Sequence, residues 1–459
     1  MGKVPLRTRL KEAPLKARNF SMLASLLLSV GPAEFLRLYK RFPWIRSAAG
    51  IHRLMDHGMN YRDCMGEGIH LIIRYVCDTL ETYVKDPDNL VWYEELLTPE
   101  IPRAMGFVPF MAESLGLILP LLDPHAAVPN LDRTENAGFP ADMCSFIKSS
   151  LGQVLGGELP KPRLILTTNS PCDSAMAGYV PLQKVLGVPV FRLDHPFETN
   201  ERSLDYYARG LRKMIRFLEQ ETGRRMDYDR LREICEERNR ASQYLLELRE
   251  TMRRRPAPLG GLLMTLSILG HEVMAGTPEA TRFCKSLRDH AVRRVRAGVG
   301  AVKEEKIRAI LWNPPFMIDG GLFRWMEDTF AAVVVMDMLG YRSYSLIDTS
   351  GPEAMIRGLA WDMMKGPMAR HTRGPAQNYY EDLVRLVGEY QADMVLLASH
   401  QGCKNALAVT GIVREVLRRR SIPFLDIQYD LMDPRVTSPA EIRSQVSRFM
   451  ETIMADLIA

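Results

Sequence analysis

The chain has 459 residues, too many for one ordinary hydrophobic core, so two or three domains are expected. Its 46% hydrophobic and 25% charged residues are those of a soluble globular protein and exclude a disordered or fibrous one. The formal net charge of +5 is too small for a nucleic-acid signature; it favours an anionic ligand such as a phosphorylated cofactor. Basic clusters such as Arg253-Arg254-Arg255 read as solvated helix faces.

In chain order, residues 1–95 form an N-terminal helical region. Ser21 to Val30 is apolar but too short to span a bilayer, and no convincing cleavage pattern follows it. No membrane span and a cytoplasmic location are expected. Apolar residues recur at helical spacing from Gly66 to Val84, with Cys77 in the core pattern.

Residues 96–202 change character. Apolar runs at Ala104 to Phe110, Arg163 to Thr167 and Val188 to Leu193 alternate with helical stretches, the pattern of parallel β-α-β units. Residues 203–300 are a helical segment. Charged amphipathic helices run from Ser203 to about Arg255, carrying Cys235 as a structural residue, and Pro256 to Gly261 breaks them. His271-Glu272 lacks the second histidine of a zinc-protease helix. Residues 301–459 alternate again, with strand candidates at Ile307 to Trp312, Ala332 to Met336, Met394 to Ala398 and Pro423 to Ile427. The fold class is therefore α/β. Two lobes, each with a mostly parallel sheet flanked by helices, are joined by helical material and preceded by more.

The 7 cysteines are scattered, with no Cys-x-x-Cys pair, which argues against a disulfide framework, a zinc ribbon and a ferredoxin-type run. Two of them stand beyond strand ends, where open parallel sheets bind ligands. Cys172 follows the strand of RLILTTN, and Cys403 follows the strand of MVLLA in SHQGC. Cys144 stands at a helix start in FPADMCSFIK. Each taken alone reads as a small buried hydrophobe. Taken together the case is stronger: Cys172 and Cys403 lie among Pro, Ser, Gly, Asp and His, settings that suit ligands, and three converging thiolates would hold iron or zinc with one coordination position open. No Walker A sequence, Gly-x-Gly-x-x-Gly fingerprint or Gly-x-Ser-x-Gly elbow is present.

Several segments in order resemble the 2-hydroxyacyl-CoA dehydratase and benzoyl-CoA reductase iron–sulfur subunits. They are EIPRAMGFVPF, FPADMCSFIK, TTNSPCDSAMAGY, KIRAILWNPPF with FRWMEDTFAAVVVMDMLG, ADMVLLASHQGCK, and LDIQYDLMDPRVTSPAEIRSQVSRFME. The resemblance covers most of the chain from about residue 95. It implies a 4Fe-4S cluster on Cys144, Cys172 and Cys403, an acyl-CoA substrate, a homologous second subunit in a heterodimer, and a separate ATP-dependent iron–sulfur activator protein. The reaction it implies is loss of water from a 2-hydroxyacyl-CoA through a ketyl radical after one-electron activation. A benzoyl-CoA reductase-type subunit and a non-catalytic cluster-bearing partner subunit are the alternatives, with a cluster-free α/β binding protein as a third class. His400, three residues before Cys403, is the catalytic candidate: it is placed to hydrogen-bond a cluster sulfur or substrate, while a surface or capping histidine is the plainer reading. Asp430, Asp433 and Arg435 are expected in a turn and salt bridge.

Overall fold

A computed structural model describes residues 86–114, 120, 124–159, 161–171, 173–268, 272–341 and 345–458. The helices expected within residues 1–85, together with Cys64, Cys77, Cys172 and His271, lie outside the described residues.

Eight strands form two four-stranded sheets. The first contains β1 (Leu90–Tyr93), β2 (Val108–Met111), β3 (Leu164–Thr168) and β4 (Val190–Leu193) in the order β2-β1-β3-β4. The second contains β5 (Ile307–Trp312), β6 (Ala332–Asp337), β7 (Met394–His400) and β8 (Phe424–Tyr429) in the order β6-β5-β7-β8. Every pairing is parallel, so both sheets repeat one winding pattern. The central strands β1, β3, β5 and β7 are buried along their whole length. Burial on both faces explains why they read as unbroken apolar runs rather than alternating ones.

The expected α/β architecture is present, with two differences in the first sheet. Strand β1 falls inside the stretch read as helical, because four apolar residues without alternation carry no period of their own. The run expected as one strand from Ala104 to Phe110 is split. Glu100–Ala104 is a short helix, Gly106 turns the chain at φ 82°, and β2 begins only at Val108. Gly106 can adopt that left-handed geometry because it lacks a Cβ.

The helical segment breaks where its local chemistry directs. The helix Glu201–Thr222 starts at Asn200, whose side chain accepts from the Ser203 amide, and ends at Gly223 with φ 72°. The helix Tyr228–Met252 starts at Asp227, which accepts from the Arg230 amide. Pro278–Arg296 follows Thr277 in the same way.

Two buried clusters hold these elements. One joins Trp92 and Ile165 of the first sheet to Ile310 and Leu396 of the second. The other covers the opposite face of the first sheet, where Val91 and Leu166 pack with Tyr207 and Leu211 of Glu201–Thr222 and with Met355 and Ile356 of Pro352–Met364. Burying each such side chain contributes roughly 1.5–3 kcal/mol. A helix late in the chain thus completes the layer over the early sheet. In that contact Arg238 is buried between the carboxylates of Glu100 and Asp362, with its Nε 3.1 Å from Asp362 Oδ2.

Candidate functional site

The carboxyl ends of the two sheets face a common cavity of about 160 Å³. Beyond β1 stand Glu94 and Glu95, beyond β2 Glu113, beyond β5 Pro314, beyond β7 Cys403 and beyond β8 Leu431, all lining it. Parallel strands end with their loops on one side, which makes this the ligand side of each sheet.

Cys144 and Cys403 enter from opposite halves. Cys144 is the cap residue of the helix Ser145–Leu155, and its amide donates to Ser174 Oγ at 3.5 Å. Cys403 is the cap residue of Lys404–Arg418, and its amide donates to the His400 carbonyl at 2.9 Å. Both are thiols rather than disulfides, half-buried, on the wall of the same cavity. Burial pushes the Cys403 thiol up, against the Ala406 backbone, which pulls it down. A helix N-terminus favours negative charge, so both positions suit a thiolate that meets a cation.

Gly402 makes the approach possible. A Cβ there would lie 2.7 Å from the Cys144 Cα and 2.7 Å from His400 Nε2, closer than atoms pack. His400, the last residue of β7, is only 2% exposed. Its Nε2 is 3.3 Å from Cys144 Sγ, and its Nδ1 accepts from the Leu431 amide at 3.1 Å. Burial lowers its pKa, with the Asp430 carboxylate opposing, so the ring is neutral near pH 7. Because Leu431 donates to Nδ1, the ring proton sits on Nε2 and points at the Cys144 sulfur.

Cys172 itself lies outside the described residues, but its neighbour Pro171 lines the cavity. The Pro171 carbonyl accepts from Thr372 Oγ1 at 2.9 Å, and Asn405 Nδ2 donates to the Thr372 carbonyl at 3.0 Å. Side chains of the second half therefore hold a loop of the first. Among the described residues, no group of three or more His, Cys, Asp or Glu side chains is assembled to hold a metal ion. Two thiols at helix starts therefore line one cavity, with Pro171, the neighbour of Cys172, on the same wall.

Asp430 and Asp433 stand in a turn. Asp430 Oδ1 accepts from the Met432 and Asp433 amides, both at 2.9 Å. Arg435 pairs with Asp433 at 2.7 Å and reaches Asp132 of the first half at 2.9 Å.

Sequence reasoning missed a wall of carboxyl groups. Glu94 accepts from the Thr168 amide at 2.8 Å and also from Thr167 Oγ1. Its pKa is raised well above the usual range by burial and then by Glu113. Burial, and then Glu113, push Glu95 up to about 8. Glu113 rises to about 7 through burial, opposed by the Tyr179 hydroxyl. The signal was present in Trp-Tyr-Glu-Glu and Met-Ala-Glu, where a buried strand runs directly into acid. The missed strand β1 hid half of it.

No described helix is long and apolar enough to cross a membrane. Compared with known proteins, residues 97–453 match the family described as 2-hydroxyglutaryl-CoA dehydratase, D-component. The chain is 26% identical to a benzoyl-CoA reductase subunit of Thauera aromatica over 70% of its own length and 78% of that protein. It is 22% identical to lactoyl-CoA dehydratase subunit alpha of Anaerotignum propionicum, over 80% and 91% of the two chains. It is also 22% identical to the (R)-phenyllactyl-CoA dehydratase alpha subunit of Clostridium sporogenes, over 77% and 89%. The match takes in both sheets except β1, the cavity wall except Glu94 and Glu95, and both thiol-bearing helix starts, so the chain belongs to the 2-hydroxyglutaryl-CoA dehydratase D-component family, as a dehydratase-type enzyme subunit.

Proposed function

We propose that the chain is the iron–sulfur subunit of an enzyme that removes water from a 2-hydroxyacyl-CoA, with a 4Fe-4S cluster on Cys144, Cys172 and Cys403. The observation that carries this reading is that Cys144 and Cys403, 259 residues apart in the chain, line one cavity with the residue next to Cys172. When bound, such a cluster supplies an electron port and a Lewis acid. The chain's own residues have separate tasks. His400 donates its Nε2 proton toward the Cys144 sulfur, which favours the thiolate and fixes its direction. The apolar wall excludes water. Glu113, poised near neutral pH, can take or give a proton at the opposite wall.

A second reading is a benzoyl-CoA reductase-type subunit, favoured by the 26% identity to a subunit of that enzyme. Both readings imply a partner subunit, since these relatives are themselves named as subunits. A homologous subunit in a heterodimer and an ATP-dependent iron–sulfur activator complete the proposal.

The test is iron and sulfide analysis of anaerobically reconstituted protein. The expected result is about four irons per chain. Cys144→Ser and Cys403→Ser are expected to lose them, whereas Cys235→Ser and Cys284→Ser, at buried sites that do not line the cavity, retain them. A colourless, iron-free wild type, or equal iron in all four variants, overturns the assignment.

A further inference from the structure

The two sheets repeat a detail finer than their strand order. Asn169 stands three residues before Cys172, as His400 stands three before Cys403. Each lies at the carboxyl end of the third strand in its sheet's order: β3 ends at Thr168, and β7 ends at His400 itself. Each also adjoins the next strand, since Thr168 pairs with Leu193 of β4 and His400 with Tyr429 of β8.

The hydrogen bonds correspond as well. Asn169 Oδ1 accepts from the His195 amide at 2.7 Å, and His400 Nδ1 accepts from the Leu431 amide at 3.1 Å. Both donors directly follow an aspartate, Asp194 in one half and Asp430 in the other. Both aspartates face the accepting side chain. Asn169 Nδ2 donates to Asp194 Oδ1 at 2.5 Å, and Asp430 Oδ2 lies 3.7 Å from His400 Nδ1. Asn169 and His400 are both buried. In each half, then, a buried side chain clasps the stretch leading into a cysteine to the end of the neighbouring strand.

The halves differ in what the clasp leaves over. An imidazole that accepts at Nδ1 keeps an N–H on Nε2, and that nitrogen is 3.3 Å from the Cys144 sulfur. A carboxamide that accepts at Oδ1 keeps its NH2, and here Asp194 takes it. Asp194 is held in turn by the Tyr206 hydroxyl, 2.6 Å from Oδ2. Two residues beyond Asn169, the Pro171 carbonyl accepts from Thr372 of the second half at 2.9 Å. The stretch Asn169–Pro171 is therefore tied at its root to β4 and at its tip to the opposite half, with Pro171 on the cavity wall.

We infer that Asn169 is a positioning residue, which by clasping the His195 amide and Asp194 fixes the chain leading into Cys172, as His400 fixes the chain leading into Cys403. The inference rests on the cluster reading above and adds a residue to it. A ligand loop held by its outer partners keeps its metal longer, and loss of such a partner costs about 10–100-fold in metal affinity.

The experiment uses the full chain with any subunit that co-purifies, reconstituted anaerobically. It follows iron release to a ferrous chelator and the EPR spectrum of the dithionite-reduced protein. N169L removes both polar ends of the side chain at nearly constant volume. Asn239 supplies the control, because it makes the same kind of clasp without lining the cavity: it accepts from the Ile347 amide and donates to the Ile347 carbonyl, both at 2.8 Å. N169L is expected to release iron at least about tenfold faster than wild type and to change the EPR spectrum, whereas N239L matches wild type in both. A reciprocal swap decides the question even where N169L yields no folded protein. N169D sets one carboxylate against another and is expected to release iron as fast as N169L, while N169D/D194N restores a donor facing an acceptor and returns to the wild-type rate and spectrum. Release from N169L no faster than from N239L, or N169D/D194N no slower than N169D, overturns the inference and leaves the cluster reading standing. A wild type that takes up no iron removes the cluster reading, and this inference with it.

Discussion

The two sheets have the same strand order and the same parallel pairing, yet their carboxyl ends carry different chemistry. In the first half β1 and β2 run into Glu94, Glu95 and Glu113. In the second half β7 runs into His400, Gly402 and Cys403. One winding pattern thus presents an acidic wall from one side and a sulfur–imidazole corner from the other. The backbone fixes where side chains arrive, and the residue just past each strand decides what arrives. The Cys144 helix crosses this division: it belongs to the first half by sequence and to the sulfur corner by contact with His400.

Perturbations of the two halves sharpen that contrast, and the largest effect is expected where they are locked together. Arg238→Met leaves Glu100 and Asp362 buried without their partner, and a loss of about 3–5 kcal/mol in denaturant unfolding is expected. An unchanged midpoint would mean that the halves are held by apolar packing alone. At the sulfur corner, Gly402→Ala forces a Cβ against Cys144 and His400, with an expected cost of about 1–3 kcal/mol in the same measurement.

The acidic wall answers to pH instead. The folded-state pKa of Glu113 stands at about 7 against an ordinary 4.5, so the folded protein binds the proton more tightly than the unfolded chain. Its contribution is fully present below pH 4.5 and is lost as pH rises toward 7. Glu113→Gln is expected to flatten the fall in stability across that window by about 1–3 kcal/mol, measured by unfolding at a series of pH values. A slope identical to wild type would assign the pH response elsewhere. The smallest effect belongs to the exposed pair Asp142 and Lys404, which also joins the halves. Asp142→Asn is expected to leave the thermal midpoint unchanged, because exposed pairs contribute little.

Much of the architecture is legible before any coordinates. Ile307–Trp312 is marked residue for residue, and the strands ending at Leu193 and His400 are located to within a few positions, because buried parallel strands are apolar runs closed by turn chemistry. Strand β1 is not legible, since Leu-Val-Trp-Tyr has neither length nor alternation to separate it from a helix. Cys144, Cys403 and His400 stand out by their polar surroundings, and chain position suggests where two of them lie. What the linear sequence does not carry is the 3.3 Å approach of His400 to Cys144, which depends on how Gly402 lets two halves close. The acidic wall escapes for a different reason. Glutamate is read as a surface residue, and only the burial of the preceding strand shows otherwise.

The helix Pro352–Met364 lies over Tyr207 and Leu211 on the early sheet's outer layer. During synthesis that layer stays uncovered until roughly four-fifths of the polypeptide has left the ribosome. A nascent chain stopped at the end of the helix Pro278–Arg296 would therefore display a greasy flank to the cell, and chaperone occupancy should peak there and fall once residues 352–364 emerge.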